Sequence, residues 1–447
     1  MSIYGPDRLY LLLLFLFAFF VNRSHGTPSL QHHRRHAQAA DGHWIAAWTS
    51  MPQLTEPANL PNPPFNTSGR VFSNTTLRQT IHVTATSSRI RLRLSNSFGP
   101  TNLPITAVTL AKPLEASSAD SGAGSPAIDT ATLKTLTFGG APGFSVPNAA
   151  LVVSDPVDMD VVAGTELTVS VYLASGQAGN DITSHPGSRT TSWMAFGNLV
   201  NSATLQNAPS VQNTAHWFFI STLDAWVPTK QSTVAIIGDS ITDGRGSTTD
   251  ANNRWPDLLF ARLQSSGDPN LKALSFANQA AGGNRILADG LGPNVLSRFD
   301  RDVLAQPGVE SVIIFEGVND IGVAAATVQA QQDIGDRVIS AFKQIIDRAH
   351  AANLPIFGAT ITPFSAPGFN AAIQPYSSSI REETRQRVNT FIRESGLFDA
   401  VVDFDAVVKD PAAPSQLKAE FNSGDFLHPS VAGYEAMAQA FPVEIFQ

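Results

Sequence analysis

The chain has 447 residues, more than one hydrophobic core usually holds, so two domains are expected. Hydrophobic residues make up 43% and charged residues 15% of the sequence, a composition that describes a globular protein and excludes a fibrous or disordered one. The formal net charge of -8 argues against a nucleic-acid or anionic-membrane partner. The absence of cysteine excludes disulfides, a cysteine nucleophile and thiolate metal ligands.

The N-terminus carries an apolar run, LYLLLLFLFAFFV, at residues 9–21, directly after Arg8. It is shorter than the roughly 20 residues that cross a bilayer. A basic residue, a short apolar run and small residues near Ser24 and Gly26 are typical of a secretory signal, so residues 1–26 are predicted to be a signal peptide. The protein is therefore expected to be secreted and extracellular, without stable membrane association. A buried helix and a signal anchor are the alternatives.

The next segment, residues 27–41, is predicted to be a flexible pro-segment or tail. It contains three histidines, which would be candidate metal ligands. Arginines 34 and 35 lie between them and would repel a cation, so no metal site is assigned here, or anywhere else in the sequence.

Residues 42–226 have the pattern of short β-strands joined by turn-rich segments. In RIRLRLS (89–95), aliphatic residues alternate with arginines, which indicates a strand with one buried face and one solvent-exposed face. Many such strands with little helical pattern predict a β-sandwich of jelly-roll type. Two sequons, beginning at Asn66 and Asn74, fit N-glycosylation of a secreted chain.

After a polar, proline-containing linker at 227–232, strands alternate with helices through residues 233–447. This alternation predicts a three-layer α/β/α domain with a parallel sheet. The predicted strands are 234–238, 272–279, 311–320, 354–364 and 398–404, and the clearest helices are 253–264, a long one from Ile334 to Ala349, and 379–394.

Polar residues follow several of these strands. Ligands bind at the carboxyl ends of the strands in such sheets, so the residues found there are candidates for one shared site. The candidates are Ser240 after the first strand, Gly283 after the second, Asn319 after the third, and Asp425 with His428 after the fifth.

Each residue type has a use in acyl transfer. A serine hydroxyl becomes a good nucleophile when a base removes its proton, and His428 is the candidate base. Asp425, three residues earlier, can hold the imidazole through Nδ1. The backbone N–H groups of Ser240 and Gly283 and the side-chain amide of Asn319 are candidate donors to the oxyanion.

Four sequence blocks, GDSITDG, NQAAGGNRIL, GVND and DFLHP, occur in this order. Together they resemble the blocks of the SGNH, or GDSL, hydrolase superfamily, and the resemblance covers roughly the whole of residues 231–447. The resemblance implies a flavodoxin-like fold, Ser240 as nucleophile with Asp425 and His428 completing the triad, and Gly283 and Asn319 as oxyanion donors. Gly283 fits better than Gly282 because it follows Asn278 by five residues, as in the family block.

The sequence also resembles a subgroup of secreted microbial GDSL-type lipase/acylhydrolases with a β-rich N-terminal domain. NRWPDLL, GATITPF and SGDFLHPSVAGYEAMA carry this resemblance, with WIAAWTS in the N-terminal part. It implies a serine carboxylic-ester hydrolase that needs no cofactor. The expected substrate is a short acyl ester, acetyl in particular, on a polysaccharide or oligosaccharide.

Other interpretations stay open at this point. Ser240 taken alone is equally compatible with a helix cap. Asn284 and Arg285 adjoin the oxyanion glycine and are candidate substrate contacts. His185 is interpreted as a surface histidine, and a position at the domain interface near the active site is the alternative. A lipase or phospholipase-like enzyme, an O-acyltransferase, and a carbohydrate-binding protein with an inert hydrolase domain are the alternative functions.

Overall fold

The computed structural model describes residues 41–114 and 122–447. The predicted signal peptide (1–26) and residues 27–40 of the predicted tail lie outside the described residues. Within the described ranges, no helix combines the length and the apolar character that a membrane span needs.

Two antiparallel sheets dominate the N-terminal part. The first has the strand order His43–Thr49, Ile220–Val227, Ser87–Ser95 and Leu151–Val153, with Val157–Val161 also paired to Ser87–Ser95. The second has the order Gln212–Thr214, Ser192–Phe196, Thr75–Val83, Thr165–Leu173, Ala107–Ala111 and Lys134–Thr135. Shorter ladders join Gln53–Leu54, Thr183–His185 and Trp217–Phe218; Asn66–Thr67, Arg70–Val71 and Gln177–Ala178; and Leu103–Ile105 with Phe144–Val146.

Side-chain alternation explains the core of this part. In strand Ser87–Ser95, Ile90, Leu92 and Leu94 are fully buried, while the arginines between them are partly exposed. Both sheets contribute side chains to one hydrophobic cluster. The predicted β-rich N-terminal part is confirmed, and the jelly-roll connectivity stays a prediction. Both sequon asparagines lie at accessible positions, Asn66 partly exposed and Asn74 exposed.

A five-stranded parallel sheet forms the second part, as predicted. Its strands are β1 (Ser232–Gly238), β2 (Leu274–Asn278), β3 (Val309–Phe315), β4 (Ile356–Ala359) and β5 (Ala400–Val402). Their spatial order is 2-1-3-4-5, the order of flavodoxin-like folds. Every residue of β1 is buried, which explains its continuous aliphatic run. A two-stranded antiparallel ladder, Lys409–Asp410 with Ala413–Leu417, follows β5.

Nine α-helices surround or extend this sheet within the described residues. They are α1 (Ser240–Asp243), α2 (Trp255–Ser265), α3 (Pro269–Lys272), α4 (Val295–Phe299), α5 (Val318–Val323), α6 (Val328–Ala351), α7 (Ser379–Glu394), α8 (Phe404–Val408) and α9 (Val431–Ala440). Helix α2 packs on α9, and α6 packs on α7. Because crossovers between parallel strands are right-handed, the reversal of strand order after β1 places these two pairs on opposite faces.

The two parts of the chain are in direct contact along β2. Strand His43–Thr49 packs against β2, and the carbonyl of Ala46 accepts hydrogen bonds from the hydroxyls of Thr233 (3.1 Å) and Ser275 (2.7 Å). The backbone N–H of Ala46 donates to the carbonyl of Pro307 at 2.9 Å. The short connection between Val227 and Ser232 therefore joins two parts that also share backbone hydrogen bonds.

Candidate active site

Ser240 is the first residue of α1, immediately beyond the carboxyl end of β1. The side chain of Asp239 caps this helix by accepting from the N–H of Ile241 at 2.9 Å. A Cβ atom on Gly238 would lie 2.5 Å from Cβ of Thr242, so only glycine lets the helix turn back this tightly on the strand.

The structure brings Ser240, His428 and Asp425 into one hydrogen-bonded chain. The Oγ of Ser240 lies 2.8 Å from Nε2 of His428. Nδ1 of that histidine lies 2.6 Å from Oδ2 of Asp425. The other carboxylate oxygen of Asp425 accepts from the backbone N–H of His428 at 2.8 Å and of Leu427 at 3.0 Å. A tight turn of three residues therefore fixes both the carboxylate and the ring.

The electrostatics favour a neutral imidazole and an ionised carboxylate. Burial lowers the pKa of His428 below its ordinary value, although Asp425 acts to raise it; the positive charges of Arg245 and Arg189 lower it further. Burial acts to raise the pKa of Asp425, but the hydrogen bond and charge of His428 and two backbone N–H donors outweigh it and hold that pKa well below its usual range.

Asn319 lies in α5, just beyond β3, and its amide is held at both ends. Its Nδ2 donates to the carbonyl of Asn284 at 2.9 Å, and its Oδ1 accepts from the hydroxyl of Tyr376 at 3.1 Å. One N–H of the amide is therefore engaged, and the second is left as a donor. Nothing in the sequence pattern pointed to Tyr376.

Two backbone N–H groups complete the candidate oxyanion site. Among the described residues, the N–H groups of Ser240 and Gly283 have no hydrogen-bond acceptor. Gly283 has a φ of 69°, a left-handed conformation that favours glycine. A Cβ atom there would lie 2.6 Å from Cδ1 of Leu291.

The two candidate substrate contacts differ in how they are engaged. The side chain of Asn284 is buried; its amide donates to the carbonyl of Pro293 at 2.8 Å, and its oxygen accepts from Arg298 at 2.9 and 3.1 Å. These hydrogen bonds all join the Asn284 side chain to other parts of the protein, so its role in this structure is structural. Arg285 is partly exposed and donates to the carbonyl of Asp289.

Asp243, the last residue of α1, links the first two sequence blocks. Its Oδ2 accepts from the N–H of Gly282 at 2.9 Å, and its Oδ1 lies 2.8 Å from Nε2 of His185. His185 is 3% exposed, so its interpretation as a surface histidine is wrong. The alternative position, at the interface near the active site, is the one that the structure shows, and its partner Asp243 was not predicted because the two residues belong to different parts of the chain.

Three acids, Asp239, Glu316 and Asp320, are buried behind the site. Asp320 accepts from the backbone N–H groups of Ile286 (2.8 Å) and Leu287 (3.0 Å). Burial raises the pKa of Asp239 to about 7 and that of Asp320 to about 6. Burial and the nearby Asp239 raise the pKa of Glu316 well above its ordinary value, and neither of its carboxyl oxygens has a hydrogen-bond partner.

The described residues contain no cluster of three or more histidine, aspartate or glutamate side chains placed to hold a metal ion. The groups that the candidate site presents are a serine hydroxyl, an imidazole held by a carboxylate, and backbone N–H groups without an acceptor among the described residues.

Comparison with models of known protein families finds one match. Residues 236–436 match the model of the GDSL-like lipase/acylhydrolase family. No curated protein matches the chain. Among solved structures, a GDSL-like lipase from Bacteroides thetaiotaomicron is 17% identical to this chain, with a TM-score of 0.35. The match covers 49% of this chain and 90% of the lipase chain. A catalytic mutant of an acetylxylan esterase from Geobacillus stearothermophilus is 20% identical, with a TM-score of 0.34. That match covers 48% of this chain and 94% of the esterase chain.

The matched segment runs from within β1 to within α9 and includes all four sequence blocks. Residues 236–436 of this chain are therefore a domain of the GDSL-like lipase/acylhydrolase family, a family of enzymes that hydrolyse acyl esters.

Proposed function

We propose that the protein is a secreted serine esterase that hydrolyses short acyl esters, acetyl in particular, on carbohydrates. The observation that carries the proposal is the hydrogen-bonded chain from Ser240 Oγ through His428 to Asp425, with distances of 2.8 and 2.6 Å. This arrangement is the one that a serine nucleophile, its base and the residue orienting that base require.

In the proposed reaction, His428 removes the proton of Ser240 as Oγ attacks the ester carbonyl. The tetrahedral intermediate collapses when the imidazolium returns the proton to the leaving alcohol, and an acyl-enzyme remains. Water, deprotonated by the same histidine, then releases the acid and restores the serine. Asp425 keeps the hydrogen on Nδ1 and stabilises the imidazolium in both halves.

The oxyanion formed in each half would be bound by the N–H groups of Ser240 and Gly283 and by the amide of Asn319. The two backbone groups have no acceptor within the described residues, and the amide is oriented by Asn284 and Tyr376. Donors fixed before the reaction begins stabilise the transition state without reorganisation, and each is typically worth about 3 kcal/mol.

The accessibility of the site supports a small acyl group. Ser240 is 7% exposed and His428 is 5% exposed, so little of either residue is accessible, which favours a small acyl group over a bulky one. Arg245, whose side chain is 63% exposed beside Asp425, gives the site a polar rim suited to a hydroxyl-rich alcohol. The carbohydrate part of the proposal rests also on the resemblance to polysaccharide-associated esterases.

The test compares wild-type protein with Ser240→Ala on p-nitrophenyl esters from acetate to palmitate and on acetylated polysaccharides. We expect wild-type turnover to be highest on acetate, with acetate released from the polysaccharide, and Ser240→Ala to lose at least ~10³-fold in kcat. Wild-type activity in Ser240→Ala would contradict the mechanism. Recovery of the mature chain from the culture medium, with its N-terminus sequenced, tests secretion.

A longer acyl chain is the second candidate, and one observation favours it. A groove of about 440 Å³ runs between Leu54, Leu60 and Phe98 of the β-rich part and the 289–293 loop. Leu291 of that loop lies against Gly283 and is 47% exposed. A rate maximum at long chains would identify this groove as an acyl site and replace the short-chain proposal, and an acylated sugar formed in place of free acid would indicate a transferase.

A further inference from the structure

A buried histidine–aspartate pair connects the β-rich part to the helix that carries Ser240. Nε2 of His185 lies 2.8 Å from Oδ1 of Asp243, and the two side chains are only 3% and 2% exposed. The contact therefore lies inside the interface between the two parts of the chain.

The surroundings of His185 fix the proton on its ring. Nδ1 lies 3.1 Å from the carbonyl oxygen of Met51. A carbonyl only accepts hydrogen bonds, so Nδ1 carries a hydrogen. The ring also stacks on Trp217, with centroids 5.8 Å apart and an interplanar angle of 28°. Nε2 faces the carboxylate of Asp243, so both ring nitrogens and one face of the ring are engaged.

The same carboxylate holds the loop that contains the candidate oxyanion glycine. Oδ2 of Asp243 accepts from the N–H of Gly282 at 2.9 Å. Packing leaves the carboxylate little room, since a Cβ atom on Gly187 would lie 1.7 Å from this Oδ2. Asp243 is thus fixed by the β-rich part on one side and fixes the N–H of Gly282 on the other.

The direction of the next N–H depends on this bond. Gly282 and Gly283 are consecutive glycines, whose backbone torsions vary more freely than those of any other residue. The N–H of Ala281 is held by the carbonyl of Gly238 at 3.0 Å. The bond from Gly282 to Asp243 is the next constraint along the chain, and the N–H of Gly283 follows directly.

We propose that His185 is a positioning residue for the oxyanion site: it holds Asp243, which holds the Gly282 N–H and thereby aims the N–H of Gly283. In this way the β-rich part takes part in catalysis without touching the substrate. The inference rests on the proposed function, because it concerns the same oxyanion site.

The test uses His185→Ala with a matched control, His82→Ala. His82 also belongs to the β-rich part, lies 2.7 Å from Glu166 and packs on Phe260 of α2; among the described residues, its hydrogen-bond partners are Glu166 and Asn252, neither of which lies in α1 or the 282–283 loop. For His185→Ala we expect kcat on an acetyl ester to fall about 10- to 100-fold with little change in KM, because an oxyanion donor is displaced and not removed. The affinity for a boronate transition-state analogue should fall by the same factor, and His82→Ala should keep the wild-type kcat.

A second pair of variants separates position from charge. In Asp243→Asn, the amide can donate to Nε2 of His185 while its oxygen still accepts from Gly282, because the hydrogen on Nδ1 leaves Nε2 free to accept. Asp243→Asn should therefore recover most of the kcat that Asp243→Ala loses. Equal losses in the two variants would overturn the positional role, as would a wild-type kcat in His185→Ala, or a loss in His82→Ala as large as that in His185→Ala.

Ser240→Ala is measured in the same series to distinguish the two proposals. If it is inactive while His185→Ala has wild-type kcat and analogue affinity, the inference about His185 fails and the esterase proposal stands. If Ser240→Ala retains wild-type turnover, both fail. If His185→Ala does not fold, the Asp243→Asn and Asp243→Ala comparison decides the question.

Discussion

The hydroxyl of Tyr376 donates a hydrogen bond to Oδ1 of Asn319 at 3.1 Å. The carbonyl of Asn284 lies 2.9 Å from Nδ2 and can only accept, so it settles which way the amide faces and leaves Oδ1 to the tyrosine. A tyrosine from the segment between β4 and α7 therefore orients a candidate oxyanion donor that follows β3.

Removing that hydroxyl should slow the reaction modestly. In Tyr376→Phe, one hydrogen bond worth about 0.5–1.5 kcal/mol is lost, so we expect kcat to fall about 2- to 10-fold with KM nearly constant. Asn319→Ala should cost about 10²–10³-fold because it removes the donor itself. The double variant should be no slower than Asn319→Ala, since Tyr376 acts only through that amide; additive losses would contradict this.

The two neighbouring glycines give a matched pair for the oxyanion loop. Gly283→Ala would place an L-residue at a φ of 69° and press on Leu291, so we expect kcat to fall at least about tenfold. At Gly282, the nearest atom to an added Cβ is Oδ2 of Asp243, at 3.8 Å. Gly282→Ala should therefore retain much more activity, measured as kcat on an acetyl ester at equal protein concentration. The reverse order would assign the donor to Gly282.

On the acid side of the pH profile, the pH at which half of the activity is lost should lie below the ordinary pKa of histidine. His428 must be neutral to act as base, so activity is lost as pH falls through its pKa, and burial moves that pKa below 6.5. Arg245→Gln removes a nearby positive charge and should shift this midpoint to higher pH. Arg262→Gln, whose guanidinium binds carbonyls at the end of α9, is the control and should leave the midpoint unchanged. A midpoint that does not respond to Arg245→Gln would contradict the assignment.

The buried acids predict a pH dependence of stability. A carboxyl group whose pKa is raised on folding binds more protons in the folded state, so stability falls as pH rises from the unfolded pKa towards the folded one. For Asp239 this window runs from 3.8 to about 7. Glu316→Gln removes a buried carboxyl group whose own pKa is raised well above its ordinary value, so the Tm of this variant should fall less between pH 5 and 8 than that of wild type.

Glu310 provides the control for that experiment. It lies on the same strand, β3, but is exposed, and Glu310→Gln should follow the wild-type Tm curve. Parallel curves for Glu316→Gln and wild type would show that the buried cluster does not titrate in this range. Thermal unfolding followed by circular dichroism at half-unit pH intervals is sufficient to decide.

Much of the second part could be predicted from the residues alone. The long helix appears at Val328–Ala351 and the next at Ser379–Glu394, because apolar side chains recur at helical spacing along each. The β1 strand was recognisable because a strand covered on both faces is aliphatic throughout. These are local patterns, and they depend on neighbours within one element.

Part of the candidate site could likewise be predicted from local sequence. The residue types of Ser240, Asn319, Asp425 and His428, and their places after strands, are properties of the sequence, and so is the turn that brings Asp425 to His428. The ends of a strand depend on its pairing partners. The strand predicted at 354–364 spans only Ile356–Ala359, because strand length is set by the neighbouring strands with which the backbone pairs.

The sequence by itself determined the order of β- and α/β-type segments and the set of polar residues at strand ends. Both follow from hydrophobic periodicity and turn-forming residues, which depend only on neighbours within a short stretch of chain. Only the tertiary structure decided that His185 reaches Asp243, that Tyr376 orients Asn319 and that Glu316 is buried without a hydrogen bond. These contacts join residues far apart in the chain. Their existence depends on how the β-rich part and the parallel sheet pack, which no single stretch of sequence specifies.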